Sequence, residues 1–186
     1  MNTIHLDLPL DESTARGLRA GDMVTLSGSI LTGRDAAHKR LIDLIDKGED
    51  LPIPLEGETI YNVGPAPASP GHAVGSAGPT TSYRMDAYTP KLLARGLRAM
   101  IGKGLRNAAV VDAMKTYGAV YFGAVGGAAA LISRSILSSE VIAYPDLGPE
   151  AIHRFVIKDF PVIVLIDSLG NNLYESGPKL YKQTDL

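Results

Sequence analysis

Residues 100–122 read MIGKGLRNAAVVDAMKTYGAVYF, a run that passes from apolar residues to helical spacing and back. Met100-Ile101 is a short apolar strand that stops at Gly102-Lys103-Gly104. From about Asn107 to Tyr117, the residues Val110, Met114 and Tyr117 recur at three- and four-residue spacing, which predicts a helix with those three facing inward. Gly118 ends that helix where a left-handed residue is wanted, and Ala119–Phe122 supplies a second strand. Strand, helix and strand in succession predict an α/β domain whose sheet is at least partly parallel.

The same alternation extends outward. Met23–Leu26 is a strand, and Asp35 is placed to cap a helix in which Ala37, Leu41, Leu44 and Ile45 share a face and Gly48 closes the end. Thr89-Pro90 is a cap followed by proline at the first helical position, with Leu93, Leu97 and Met100 on one face. After Phe122 come a Gly123–Gly127 turn, an alanine-rich helix to about Leu137, and strands at Val141–Ala143 and Val162–Ile166. Gly170-Asn171-Asn172 is expected to turn the chain into Leu173-Tyr174 as a hairpin. There is no internal repeat, and residues 1–186 suit one domain.

Composition removes whole classes of function. Lys and Arg number 18 against 20 Asp and Glu, a net charge of −2, which argues against a nucleic-acid coat or a polybasic membrane binder. Cysteine is absent, so this chain can offer no disulfide, zinc thiolate, catalytic thiol or cysteine ligand to an iron–sulfur cluster. The four histidines lie far apart, and Asp35 with His38 would be only two ligands of a metal site, so we expect no metal held by this chain. The N-terminal stretch has neither a basic nor an extended apolar region, and the uncharged run Thr116–Ser133 is interrupted by glycines; a cytoplasmic protein is expected.

Three places set a cation beside glycine at a strand–helix junction: Gly33-Arg34, Gly78 to Arg84, and Gly102-Lys103-Gly104. Ligands of open α/β sheets gather at the carboxyl ends of strands. Two arginine forks and a lysine would suit a small dicarboxylate. Thr80 and Arg84 are four apart, one helical turn if that segment is helical. The Thr80 hydroxyl could bind a carboxylate, or accept a proton if neighbouring cations greatly lowered its pKa; a capping role for the threonine pair is the alternative. Neither Gly102-Lys103-Gly104 nor Gly123-x-x-Gly126-Gly127 has the spacing of a phosphate loop or dinucleotide turn. Close packing of helix on strand explains the latter glycines better. From Thr59 to Tyr83 there is no Asp, Glu, Lys or Arg, while eight residues are Gly or Pro. That stretch is either buried against a partner, a domain or a site, or an ordinary loop with a short Ile60–Val63 strand.

Taken together, SGSILTGRDAAHKRL (27–41), YNVGPAPASPGHAVGSAGPTTSYRMDAYTPKLL (61–93), MIGKG (100–104), YGAVYFGAVGGAAALIS (117–133), AYPDLGPEAI (143–152) and FPVIVLIDSLGNNLY (160–174) resemble one family. It is the β subunit, or C-terminal domain, of class I iron–sulfur fumarate hydratases and related tartrate dehydratases. The resemblance implies a swivelling β/β/α domain with a mixed sheet and flanking helices. It also implies half an active site: Arg34, Arg84 and Lys103 would bind substrate carboxylates, with Thr80 as proton acceptor and Thr80, Arg84 and Lys103 as the catalytic set. A [4Fe-4S] cluster would sit on a partner α subunit, in an α2β2 assembly, and this chain alone would be inactive. The quoted segments are closer to the fumarase branch than to tartrate dehydratase. Tartrate and mesaconate remain alternative substrates, and a non-catalytic dicarboxylate-binding module is the alternative class. Tyr83 departs from the family pattern, a bulky residue beside Arg84 where a small one is expected.

Overall fold

A computed structural model describes residues 2–124 and 129–181. Its strands are β1 (Ile4–Asp7), β2 (Met23–Thr32), β3 (Thr59–Tyr61), β4 (Ala99–Gly102), β5 (Val120–Ala124), β6 (Ile136–Ala143) and β7 (Ile152–Ile166). The helices are α1 (Glu12–Gly17), α2 (Asp35–Lys47), α3 (Thr89–Ala94), α4 (Ala108–Tyr117), α5 (Ala129–Ser135) and α6 (Leu173–Tyr181). Two 3₁₀ turns, Ser82–Met85 and Pro145–Glu150, lie in the connections.

The predicted α/β architecture with a mixed sheet and flanking helices is what the chain adopts. Strands β2, β3, β4 and β5 are parallel neighbours, and β7 runs antiparallel to both β5 and β2. Those five strands therefore close on themselves, while β1 extends the edge of β2 and β6 that of β7. Alternation along each strand feeds two cores. Tyr61, Ile101, Phe122 and Phe160 fall in one apolar cluster enclosed by the strands. Ile60, Met100 and Tyr121 fall in the other, against Leu41 of α2, Leu92 of α3 and Met114 of α4.

Gly118 and Gly48 close their helices as read from the sequence, and the structure adds a cap at Asn107. Asn107 caps α4, its side chain accepting the Val110 N–H at 2.9 Å, and Gly118 ends it in the left-handed region (φ 67°). Gly48 does the same for α2 (φ 69°). Other expectations are corrected. Asp35 is the first residue of α2, with Arg34 at the cap position, and Thr89 begins α3 rather than capping it. Tyr117 is exposed, not inward. α5 ends at Ser135, so Leu137 belongs to β6. The expected hairpin at 170–172 is instead the start of α6. Asn172 makes one bridge to Ile166, and its side-chain oxygen accepts the Tyr174 N–H, so the Asn side chain caps a helix. The Gly123–Gly127 turn lies mostly outside the described residues. At Gly123 the close neighbour is not a helix but Leu165 of the adjacent strand β7, which a Cβ would approach to 2.7 Å.

Candidate functional site

The carboxyl ends of β2, β3 and β4 adjoin because the strands are parallel neighbours. Arg34 follows β2 and Lys103 follows β4. After Asn62 the chain leaves the sheet and returns as residues 80–82 in the space it vacated: Thr80 N–H donates to the Asn62 carbonyl (2.7 Å), Thr81 bridges Lys103 in parallel, and Ser82 N–H donates to the Lys103 carbonyl (2.9 Å). The 3₁₀ turn that follows carries Arg84. Three widely separated sequence segments are thus stitched to one end of the sheet by backbone hydrogen bonds. Thr80 itself lies outside the turn, so the one-helical-turn relation to Arg84 does not hold. Thr81 stands at the turn's cap position but its side chain makes no capping bond.

Two glycines permit this closeness. A Cβ on Gly102 would lie 1.8 Å from Ser82 Oγ, which itself accepts a hydrogen bond from Asn62 Nδ2 (2.8 Å). A Cβ on Gly64 would lie 2.7 Å from Arg34 Nη1. Glycine at these positions makes room for the polar groups that line the end of the sheet.

The cations differ in their partners. Arg84 pairs with Asp35, with Nε donating to Oδ1 at 3.1 Å and Nη2 lying 2.7 Å from Oδ2 without a hydrogen bond to it. Arg34 has only a distant carboxylate, Glu150 at 3.9 Å, and its buried Nε has no hydrogen-bond partner among the described residues. Lys103 is exposed and forms no ion pair among the described residues. Three positive charges against two negative ones leave this face cationic. Sequence reasoning missed Asp35 as an anchor for Arg84, because an acidic residue before a helical pattern looks like a cap. It also missed Asn62, Ser82 and Glu150, which carry no spacing signal.

His38 is fully buried. Its Nδ1 lies 2.8 Å from the Arg34 carbonyl, which can only accept, so the neutral ring carries its proton on Nδ1. Burial pulls its pKa down from 6.5 to about 4. Asp35 is engaged by Arg84 and His38 by the Arg34 carbonyl, and among the described residues no three His, Asp or Glu side chains are grouped to hold a metal. The depressed pKa has a stability consequence. The unfolded chain binds a proton at this residue below pH 6.5 and the folded chain does so only near pH 4, so stability is full above 6.5 and lost as pH falls between these values. The expected loss is on the order of 3 kcal/mol. Denaturant unfolding across that range should show a slope that His38→Gln flattens; an unchanged slope would remove the residue from this role.

A hollow of about 400 Å³ is lined by Pro65–Ala68, Val141, Pro149 and His153 among others, and by none of the four predicted site residues. Lys103 borders a smaller one, about 210 Å³, with Gly102, Gly123 and Leu165. Arg34, Thr80 and Arg84 lie on an open face. Tyr83 beside them is 62% exposed and points away from the core. The uncharged stretch is buried only at its ends. Val63, Pro65, Val74 and Ala77 are buried, whereas residues 66–72 are exposed, with the loop base pinned by Ala66 N–H to Ser76 O and Gly75 N–H to Ala66 O.

The described residues thus form a closed mixed sheet with flanking helices, with Arg34, Thr80, Arg84 and Lys103 on the segments at one end of it. Residues 1–177 match the family model described as Fumarase C-terminus. The chain is 44% identical over 154 residues to "Fumarate hydratase class I, aerobic" of Escherichia coli, covering 82% of this chain and 28% of that protein. It is 39% identical over 181 residues to "Putative fumarate hydratase class I" of Geobacillus stearothermophilus, 95% of this chain and 34% of that protein. It is 35% identical over 181 residues to "Putative L(+)-tartrate dehydratase subunit beta" of Methanocaldococcus jannaschii, 94% of this chain and 93% of that protein. The chain belongs to the fumarase C-terminal family. It spans about a third or less of the fumarate hydratases named here, and nearly the whole of the tartrate dehydratase β subunit. No described helix is long and apolar enough to cross a membrane.

Proposed function

We propose that this chain is the β subunit of a two-subunit cytoplasmic hydro-lyase that interconverts fumarate and (S)-malate, with an active site shared between it and an α-type partner. The observation that carries the reading is the convergence of Arg34, Thr80, Arg84 and Lys103, from three sequence segments, on the carboxyl ends of β2–β4. Higher identity to fumarate hydratase than to the tartrate dehydratase subunit favours fumarate over tartrate.

Removing water from a hydroxy acid requires a proton acceptor at carbon and a Lewis acid at the leaving hydroxyl. In this reading the Lewis acid is a [4Fe-4S] cluster. This chain has no cysteine, so its residues do not fit as cluster ligands, and the cluster would sit on the partner. The chain's own contribution is electrostatic and acid–base. Arg34 and Lys103, the less encumbered cations, take the substrate carboxylates, and Arg84, held in place by Asp35, offers its remaining N–H groups. They stabilise the negative charge that accumulates on a carboxylate as the adjacent C–H proton leaves. Thr80, on a backbone tied to Asn62, takes that proton as an alkoxide, its own hydroxyl proton first passing to solvent under the field of the neighbouring cations. The openness of this face and the exposed, uncharged 66–72 loop suit a partner that covers both, in an α2β2 assembly.

The test is a substrate panel. The chain co-produced with an α-type partner and reconstituted anaerobically should use fumarate far better than mesaconate or L-tartrate. Preference for L-tartrate would keep the family and replace the substrate, and binding without turnover of any of them would leave a dicarboxylate-binding module. Gly64→Ala probes Arg34 without touching it: the added methyl displaces the guanidinium while the backbone needs no left-handed conformation. KM should rise on the order of tenfold with the melting temperature nearly unchanged. Unchanged KM would mean that Arg34 does not bind substrate.

A further inference from the structure

Beneath the cationic face, Asp86 and Arg106 form an ion pair more deeply buried than any other among the described residues, with side chains 8% and 0% exposed. Arg106 Nε donates to Asp86 Oδ1 (2.6 Å) and Nη2 to Thr89 Oγ1 (2.7 Å), while the second Asp86 oxygen accepts the Asn107 N–H (2.7 Å). The guanidinium lies 5.0 Å from the ring centre of Tyr121, whose hydroxyl donates to the Gly104 carbonyl (3.0 Å).

Asp86 is two residues beyond Arg84, and its N–H closes the 3₁₀ turn that carries Arg84 by donating to Tyr83 O. Arg106 is three residues beyond Lys103, on the loop whose Gly104 is gripped by Tyr121 and, through its N–H, by the Tyr174 hydroxyl (2.9 Å). The pair therefore clamps the segment bearing one cation to the segment bearing another. A buried ion pair adds little net stability over an apolar pair of the same volume, because both charges lose their water. Satisfying nearly every polar atom of this one makes it a stiff spacer.

We propose that Asp86–Arg106 is a positioning pair that fixes the spacing of Arg84 and Lys103, so that the two cations receive a dicarboxylate as a rigid unit. This rests on the reading of the site given above.

Steady-state kinetics with fumarate and thermal unfolding, both on the assembled complex, test it together. Asp86→Asn and Arg106→Met each strand a buried partner and should lower both the melting temperature and kcat/KM. The double variant Asp86→Asn/Arg106→Met removes both charges and should regain most of the melting temperature while KM stays raised, about tenfold to a hundredfold. Asp86→Glu, which keeps the charge and lengthens the link by one methylene, covers the case in which the double variant does not fold, and should raise KM similarly. Recovery of KM along with stability in the double variant, or wild-type KM in Asp86→Glu, overturns the proposal. Lys103→Ala is the companion measurement. If it raises KM while Asp86→Glu does not, only the positioning role falls; if it leaves KM unchanged, the site assignment falls and this inference with it.

Discussion

Thr80→Ala in the assembled complex is expected to lower kcat for malate dehydration about 10²–10⁴-fold while KM moves little, the pattern of a lost proton acceptor. Its backbone is fixed by the Asn62 carbonyl and by the neighbouring Thr81–Lys103 bridge, so removing the hydroxyl should leave the turn in place. Exchange of the substrate's C–H hydrogen with solvent gives a second readout and should fall in step with kcat. Thr80→Ser, which keeps the oxygen, should restore a large part of both. A variant Thr80→Ala with near-normal kcat would move the residue from acid–base work to binding.

Lys103→Ala is the second large effect. This ammonium has no carboxylate partner among the described residues, so the variant leaves no buried charge stranded within the chain and stability should hold. Loss of a charge-assisted contact to a desolvated carboxylate is expected to reduce kcat/KM on the order of 10²–10³-fold, mostly through KM. Lys103→Arg should recover only part, because a planar fork replaces a compact point charge at the end of a strand. The contrast with Arg84 is informative. Arg84→Ala also frees Asp35, so its effect combines lost binding with an unpaired carboxylate.

The sequence made the βαβ unit at 100–122 legible because its signals agreed: an apolar strand, helical spacing from about Asn107 and a closing Gly118. β7 was legible only at its apolar end, Val162–Ile166. Its first half, Ile152–Asp159, interleaves charged residues with buried Phe155 and Ile157, and Pro161 looks like a breaker within what is one strand of fifteen residues. β1 was missed because four residues of alternating exposure in an acidic leader carry almost no signal. At 170–172 the same Gly-Asn-Asn chemistry suits a tight turn or a helix cap, and only the packing of α6 decides. At the site, the cations and Thr80 were legible as glycine-flanked residues and through the family resemblance. Their mutual placement was not: it depends on the chain leaving the sheet after Asn62 and re-entering at Thr80, a long-range backbone pairing that no local pattern encodes. The pairings of Asp35 with Arg84 and of Asp86 with Arg106 were invisible for the same reason, since each joins residues far apart in sequence.

The most direct measurement of the central claim is fumarate hydration by three preparations under anaerobic conditions: this chain alone, the cluster-loaded α-type partner alone, and the two together. Turnover only in the mixture, rising to saturation with this chain at one copy per partner, is the predicted result. Turnover by either preparation alone at the rate of the mixture would contradict an active site divided between them.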